Sequence, residues 1–377
     1  MVLLSSFGAW IFWLAGYVVP FAFILAIVVF FHELGHFLMA RWCGVMVTTF
    51  SIGFGRELVG VNDRHGTRWK VGAIPLGGYV KFLGDRNGAS IGGADSMNAG
   101  NPNETFLGAT VGRRIAIVFA GPLANFLLAI LIFAVVLMWH GRETSVARVE
   151  AVQPNSAAAV AGIEPGDLIV AVDGNTITSF DDLVRVVSAS AGIKIRILVD
   201  RRGSPILIEA IPELREVKDV LGNVNRIGQL GLRKSSAPQD TKTERFGPIQ
   251  ATWQGVKETW YICNQTLDYI SNVVVGRESA DRLAGPIKLA KTSGQIAAFG
   301  FLASMHLVAI LSVSVGLFNL FPIPVLDGGH ILFYLIEAAR GRPISAVAQK
   351  WSLRVGVAAL LALMIFATIN DVLHLAT

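Results

Sequence analysis

The residues best suited to chemistry stand together in Phe31-His32-Glu33-Leu34-Gly35-His36-Phe37. The H-E-x-x-H spacing puts two imidazoles one helical turn apart on one face, with a carboxylate beside them. Such a pair of imidazoles can ligate a metal, and the glutamate is placed to take a proton from water and return it to a leaving amine. The chemistry this implies is metal-assisted hydrolysis of an amide. Two histidines are one ligand short of a catalytic zinc site. Position 42, where a third histidine would continue one such pattern, is Trp42, so the third ligand must come from a distant part of the chain.

The setting of the motif decides what must position it. From Phe7 to Ala40 there is no Lys or Arg, and the only carboxylate is Glu33. An ionisable cluster inside such an apolar run is costly unless it is paired or bound to metal. The 377 residues are 53% hydrophobic and 16% charged, with a mean hydropathy of +0.56. That composition describes a polytopic α-helical membrane protein rather than a string of soluble domains. The net charge of +5 is not gathered into basic tracts interleaved with aromatics, which argues against a nucleic-acid partner. Cys43 and Cys263 form neither a disulfide framework nor a CxxC metal spacing.

Taken in order, the chain divides at its charges. Residues 1–40 hold the first transmembrane segment, a helix over roughly 14–39; the run lacks a positive n-region and is too long for a signal peptide. Residues 41–114 carry Arg41, Arg56, Arg64, Arg68, Lys70, Lys81, Arg86, Arg113 and Arg114, so this segment is cytoplasmic and the N-terminus faces outward. Within it, 67–74 and 78–83 alternate as strands do. Pro75-Leu76-Gly77 between them reads as a turn, giving a β-hairpin, and the Gly- and Asn-rich stretch 84–108 reads as a mobile loop. Residues 115–140 form a second span containing Ala120-Gly121-Pro122-Leu123-Ala124-Asn125. Asn125 is expected to face the bundle interior, although Gly121 and Ala124 suffice for helix packing.

Residues 141–235 have the composition of a soluble α+β domain. Short β-branched runs (147–152, 168–172, 193–199, 206–211) alternate with turns and one helix, Phe180 to Ala189. The stretch from Pro154 to Gly174 resembles the helix, turn and strand of a PDZ domain, a module that binds extended peptides by strand addition. One copy is expected, placed on the outer side of the membrane, the periplasmic side for a bacterial inner membrane. In 236–300, Ile249, Trp253, Val256, Trp260, Cys263, Leu267, Ile270 and Val274 recur at spacings of 4 and 3. They form an amphipathic helix that either lies on the outer membrane face or packs under the PDZ-like domain. Residues 301–340 hold a third span, and 341–377 a cytoplasmic loop marked by Arg342, Lys350 and Arg354, then a fourth span over 355–373 that takes the C-terminus outside.

The third span runs into Asn319-Leu320-Phe321-Pro322-Ile323-Pro324-Val325-Leu326-Asp327-Gly328-Gly329-His330. Two prolines two residues apart break a helix, and unwound backbone at membrane depth is tolerated only where protein or a water-filled cavity surrounds it. Asp327 in that break is the favoured third ligand and His330 the rival, while His306 lies too near the outer face. His36 and His32 precede Arg41 by five and nine residues, which sets the metal about 8–14 Å inside the cytoplasmic boundary. Water would enter through the break at Pro322 and Pro324. An unwound substrate strand could be held by Asn319 and by a hairpin edge at Gly72, Ala73 and Ile74, unless the hairpin is only a structural cap.

This constellation resembles the site-2 proteases, and within them the bacterial regulator-of-sigma-E branch. The matching pieces, in order, are His32-Glu33-Leu34-Gly35-His36, Gly53-Phe54-Gly55, Pro75-Leu76-Gly77-Gly78-Tyr79-Val80, Ala120 to Asn125, one PDZ-like domain, and Asn319 to Pro322 with Leu326-Asp327-Gly328-Gly329. The resemblance implies zinc held by His32, His36 and Asp327, with Glu33 as catalytic base. It implies a multi-pass enzyme of the bacterial inner membrane that cuts single-pass membrane proteins, such as an anti-sigma factor, within or beside their span. That cut usually follows a first protease's removal of the outer domain. The family's hairpin re-enters the membrane to present an edge strand. The competing class is a non-hydrolytic membrane scaffold or ion-binding transporter with a PDZ recruitment domain; the presence of Glu33, which a scaffold does not need, argues against it.

Overall fold

The structure, a computed structural model, describes residues 14–84, 104–218, 224–237, 239–276 and 285–375. After a π-helical turn at Leu14–Val18, α1 (Val19–Trp42) is entered through Pro20, whose missing amide costs nothing in a first turn. Two long strands follow, β1 (Val47–Asn62) and β2 (Arg68–Phe82), and then α2 (Val111–Trp139), which carries Pro122 inside it. Most of the expected 84–108 loop lies outside the described residues.

The hairpin differs from the expected one. The turn lies at 63–67, and Pro75-Leu76-Gly77 falls within β2. The two expected strands do not pair with each other. Instead Thr49, Phe50, Ser51 and Ile52 each have two partners: Lys81, Val80, Tyr79 and Gly78 on one side, and Arg68, Trp69, Lys70 and Val71 on the other. Both halves of β2 thus clasp the start of β1, a β-branched run outside the two expected strands. The second half of β1 returns to pair Val59, Gly60, Val61 and Asn62 with Val71, Lys70, Trp69 and Arg68. Phe50, fully buried, seats this sheet on α1; its ring stacks 4.3 Å from Trp69 and meets Phe37 edge-on at 5.6 Å. At the turn, burial pushes the Asp63 carboxyl up. Hydrogen bonds from the Thr67 and His65 amides, the Trp69 indole and the Arg41 guanidinium outweigh this and hold it down to about 2.

The unit from Val136 to Ile249 contains β3 (Arg142–Ser145), β4 (Val149–Val152), α3 (Ala157–Ala161), β5 (Leu168–Val172), β6 (Asn175–Thr176), α4 (Phe180–Ala189), β7 (Ile195–Arg201), β8 (Ser204–Ala210), β9 (Glu213–Lys218), β10 (Val224–Gln229), β11 (Leu232–Lys234) and β12 (Thr241–Glu244). A four-stranded sheet runs β6-β5-β7-β8, with β10-β9, β11-β4 and β12-β3 as separate pairs. Pairing of β12 with β3 carries the unit past its expected end at 235. α4 starts on a capping box between Ser179 and Asp182 and lays Leu183 and Val187 on Ile169, Ile195 and Ile197. Replacing fully buried Leu183 by Ala would cost about 2–5 kcal/mol.

The chain then forms α5 (Pro248–Val274), α6 (Pro286–Ala298), α7 (Phe301–Asn319), α8 (Asp327–Arg340) and α9 (Ala346–Leu375). Among the described residues, four segments are long and apolar enough to cross a membrane: Ala15–Trp42, Val111–Trp139, Phe301–Asn319 and Ala346–Leu373. The fourth helix begins nine residues earlier than the expected span, so Lys350 and Arg354 sit in its first turns rather than in a loop. The face of α5 that is buried is not its apolar stripe. Ala251, Gly255 and Thr259 are buried, with Gly255 against the Ile130 carbonyl, while Ile249, Trp253, Trp260 and Val274 remain exposed. Small residues let the backbones of packed helices approach, so the tryptophan stripe turns outward.

Candidate metal centre

α1 places His32 and His36 four residues apart, both 8% exposed, with their Nε2 atoms 3.2 Å from each other. Asp327 closes the triangle, its Oδ2 lying 3.1 Å from His32 Nε2 and 3.4 Å from His36 Nε2. Among the described residues these three are the group whose donor atoms converge as metal ligands would. A tetrahedral zinc ion with bonds of about 2.0–2.1 Å holds its ligands about 3.3 Å apart, which matches these edges. Oδ2 of Asp327 is buried and, apart from these two imidazole nitrogens, has no hydrogen-bond partner, a cost that a cation would offset. The residues present therefore fit the ion.

The break after α7 delivers Asp327. Pro322 and Pro324 prevent the helix from continuing, Leu326 is extended, and α8 begins on Asp327 itself. The carboxylate so stands at the positive end of a helix. The loop folds back on this start with no room for side chains. A Cβ on Gly328 would lie 2.3 Å from the carbonyl oxygens of Leu320 and Phe321, and one on Gly329 2.3 Å from that of Ile323.

α2 supports the histidines along one face. Its Ile117 carbonyl oxygen lies 2.9 Å from His36 Nδ1, and the Asn125 side chain lies 3.2 Å from His32 Nδ1. Between them a Cβ on Gly121 would stand 2.3 Å from His36 Nε2. The approach is reciprocal, since a Cβ on Gly35 would meet the Ala120 carbonyl oxygen at 2.2 Å. The sequence placed Asn125 toward the interior without a partner. Ile117 gave no signal, because its contribution is a backbone oxygen, and Gly121 was read only as helix packing.

Glu33 faces the sheet. Its carboxyl stands beside the Val80 backbone amide, and a Cβ on Gly78 would be 3.2 Å from Glu33 Cγ. The segment Gly78–Val80 pairs with Ile52–Phe50 on one side only, so its other edge is open among the described strands. The expected substrate-holding edge was Gly72, Ala73 and Ile74. Gly72 pairs with Glu57 and Ile74 with Phe54, each on one side only, and the strand beside Glu33 is Gly78–Val80. Asn319 is half-buried at the end of α7, Pro324 is half-buried in the break and Pro322 is exposed. His330 does not join the triangle; its ring meets Phe333 edge-on at 6.3 Å. His306 packs on Phe133.

Comparison with known proteins bears on this arrangement. The signature of Peptidase family M50 matches residues 20–363. A protein of Agrobacterium fabrum named "Putative zinc metalloprotease" is 47% identical over 362 residues, covering 95% of this chain and 96% of its own length. The Metalloprotease MmpA of Caulobacter vibrioides is 38% identical over 378 residues, covering 94% of each chain. Among solved structures, the PDZ domain of an SdrC-like protein from Listeria innocua aligns with 25% of this chain and 96% of its own at 20% identity, with a TM-score of 0.20.

Proposed function

The chain belongs to peptidase family M50 and is a multi-pass membrane zinc metalloprotease, and from that premise we propose that it hydrolyses peptide bonds within or beside the span of single-pass membrane proteins. His32, His36 and Asp327 hold the zinc. The observation that carries this reading is their triangle of 3.1, 3.2 and 3.4 Å inside a bundle of apolar helices. Bound there, zinc supplies a Lewis acid that activates water and polarises a carbonyl.

The chain's own residues do the rest. Glu33, one residue from His32, takes the proton from water and delivers it to the leaving amine. A substrate helix must unwind before its carbonyl can be attacked. The open edge at Gly78–Val80 offers backbone groups beside Glu33 to which an unwound strand can add. Asn319, Pro322 and Pro324 line the break through which water and the unwound segment reach the site. The basic segment 41–114 faces the cytoplasm of a bacterium, both termini face the periplasm, and the PDZ-like unit there binds a peptide. An anti-sigma factor already clipped outside the membrane has the required single span and free end.

The test is a comparison of wild type with Glu33→Gln. Purified in detergent, both should carry zinc, and only the wild type should cut a clipped single-span substrate. Equal cleavage by both would remove Glu33 from the mechanism.

A further inference from the structure

Asn125 is fully buried in α2, and its side-chain Nδ2 lies 3.2 Å from Nδ1 of His32. Its backbone oxygen is engaged, accepting from Ser312 Oγ at 2.9 Å. Its side-chain Oδ1 is buried without a hydrogen-bond partner. A buried amide oxygen left so is destabilising and needs an explanation.

His36 supplies the comparison. Its Nδ1 faces the Ile117 carbonyl oxygen, which can only accept. The proton is therefore fixed on Nδ1, and the Nε2 lone pair is left for a cation. His32 presents Nε2 to the same triangle, so its Nδ1 also carries a proton and needs an acceptor. The group that meets it is the Asn125 amide, of which only the oxygen end accepts. The two ends are alike in shape, and a half-turn about the terminal bond exchanges them in the same space.

We propose that Asn125 is a positioning residue of the metal centre: its Oδ1 accepts Nδ1–H of His32 and holds that imidazole in the tautomer that offers Nε2 to the ion. This rests on the assignment of His32, His36 and Asp327 as ligands. Helix packing alone is served by Gly121 and Ala124 and does not call for an amide at 125.

The test reads zinc without substrate. Full-length protein is purified in detergent, loaded with zinc and titrated with a chelator of known affinity, and the retained metal is measured. Asn125→Leu and Asn125→Ala should release zinc at about 10- to 100-fold lower chelator than wild type. Asn125→Asp, whose oxygens accept, should hold it at least as firmly as wild type. Ser312→Ala, which removes only the link to the Asn125 backbone, should hold it as wild type does.

Asn125→Leu matching wild type, or Asn125→Asp releasing zinc, overturns the proposal in favour of packing or of a donating amide. A loss in Ser312→Ala equal to that in Asn125→Leu overturns it as well. Should Asn125→Leu fail to accumulate, Asn125→Ala and Asn125→Asp decide together: an accepting role requires that the alanine variant lose the metal and the aspartate variant keep it. His32→Ala runs in parallel: if it retains the wild-type zinc content, the ligand assignment falls and this proposal with it. If it loses zinc while Asn125→Leu does not, only the role of Asn125 falls.

Discussion

Arg114 and Glu337, 223 positions apart, meet in a two-point ion pair with N···O distances of 2.7 and 3.1 Å. The guanidinium also stands over the Tyr334 ring at 4.9 Å and donates to the Ala109 carbonyl at 3.2 Å. Arg114 lies in the first turn of α2 and Glu337 in the last turn of α8. The helix that begins with Asp327 is thus pinned at its far end to the helix that braces the histidines. Glu337→Ala leaves a buried guanidinium unpaired, for an expected loss of about 3–5 kcal/mol. Thermal unfolding in detergent should show it, and Arg114→Glu with Glu337→Arg should recover part of it.

Gly121→Ala tests how closely α2 approaches the site. The new methyl would lie 2.3 Å from Nε2 and 2.4 Å from Cε1 of His36, a ring held in place through its Nδ1. The protein should still accumulate in the membrane but bind zinc about 10- to 100-fold more weakly. Chelator titration measures this, and wild-type affinity would mean that α2 can retreat.

Gly78→Val separates the sheet edge from the metal. A side chain there would collide with the Ser51 carbonyl oxygen at 2.8 Å and Val29 Cγ1 at 2.9 Å, moving the strand away from Glu33. A misplacement of about 1 Å can cost about 100-fold in rate, so kcat/KM should fall by that order while zinc content stays unchanged.

Asp63 gives a pH dependence with a definite sign. Its carboxyl is held down to about 2 in the fold, against about 3.9 in an unfolded chain. A depressed carboxylate contributes stability that is fully present above the unfolded value and is lost as pH falls through the folded one. Wild type should therefore lose thermal stability between about pH 4 and pH 2. Asp63→Asn should be less stable near neutrality and show a shallower acid loss in that window, read from melting temperatures in a pH series.

Much of the site was legible because intramembrane polar residues are costly and so informative. His32, Glu33 and His36 announce themselves by spacing, and Asp327 by lying in a proline-broken stretch at membrane depth. Asn125 was visible as a polar residue in a span, but its partner was not, since nothing local links positions 93 residues apart. The sheet was misread for a physical reason. Alternation marks which segments are strands and says nothing about which of them pair, and Thr49–Ile52 inserts itself between the two expected partners. In α5 the apolar periodicity is real, but its large side chains stay exposed while the small Ala251, Gly255 and Thr259 are buried. Glycines were the least legible of all, because each acts by what it leaves out. Gly35, Gly78 and Gly121 matter only through the backbone or ring that fills the space.

Ile117, Gly121 and Asn125 follow one another at intervals of four along α2, and all three touch a histidine. A helix turns about 100° for every residue. One residue inserted between Val118 and Gly121 would swing both Gly121 and Asn125 off the histidines together, while leaving the length and hydrophobicity of the span almost unchanged. The second span therefore has to be correct in phase as well as in composition, and a shift of phase would undo in one step what no single side-chain replacement does.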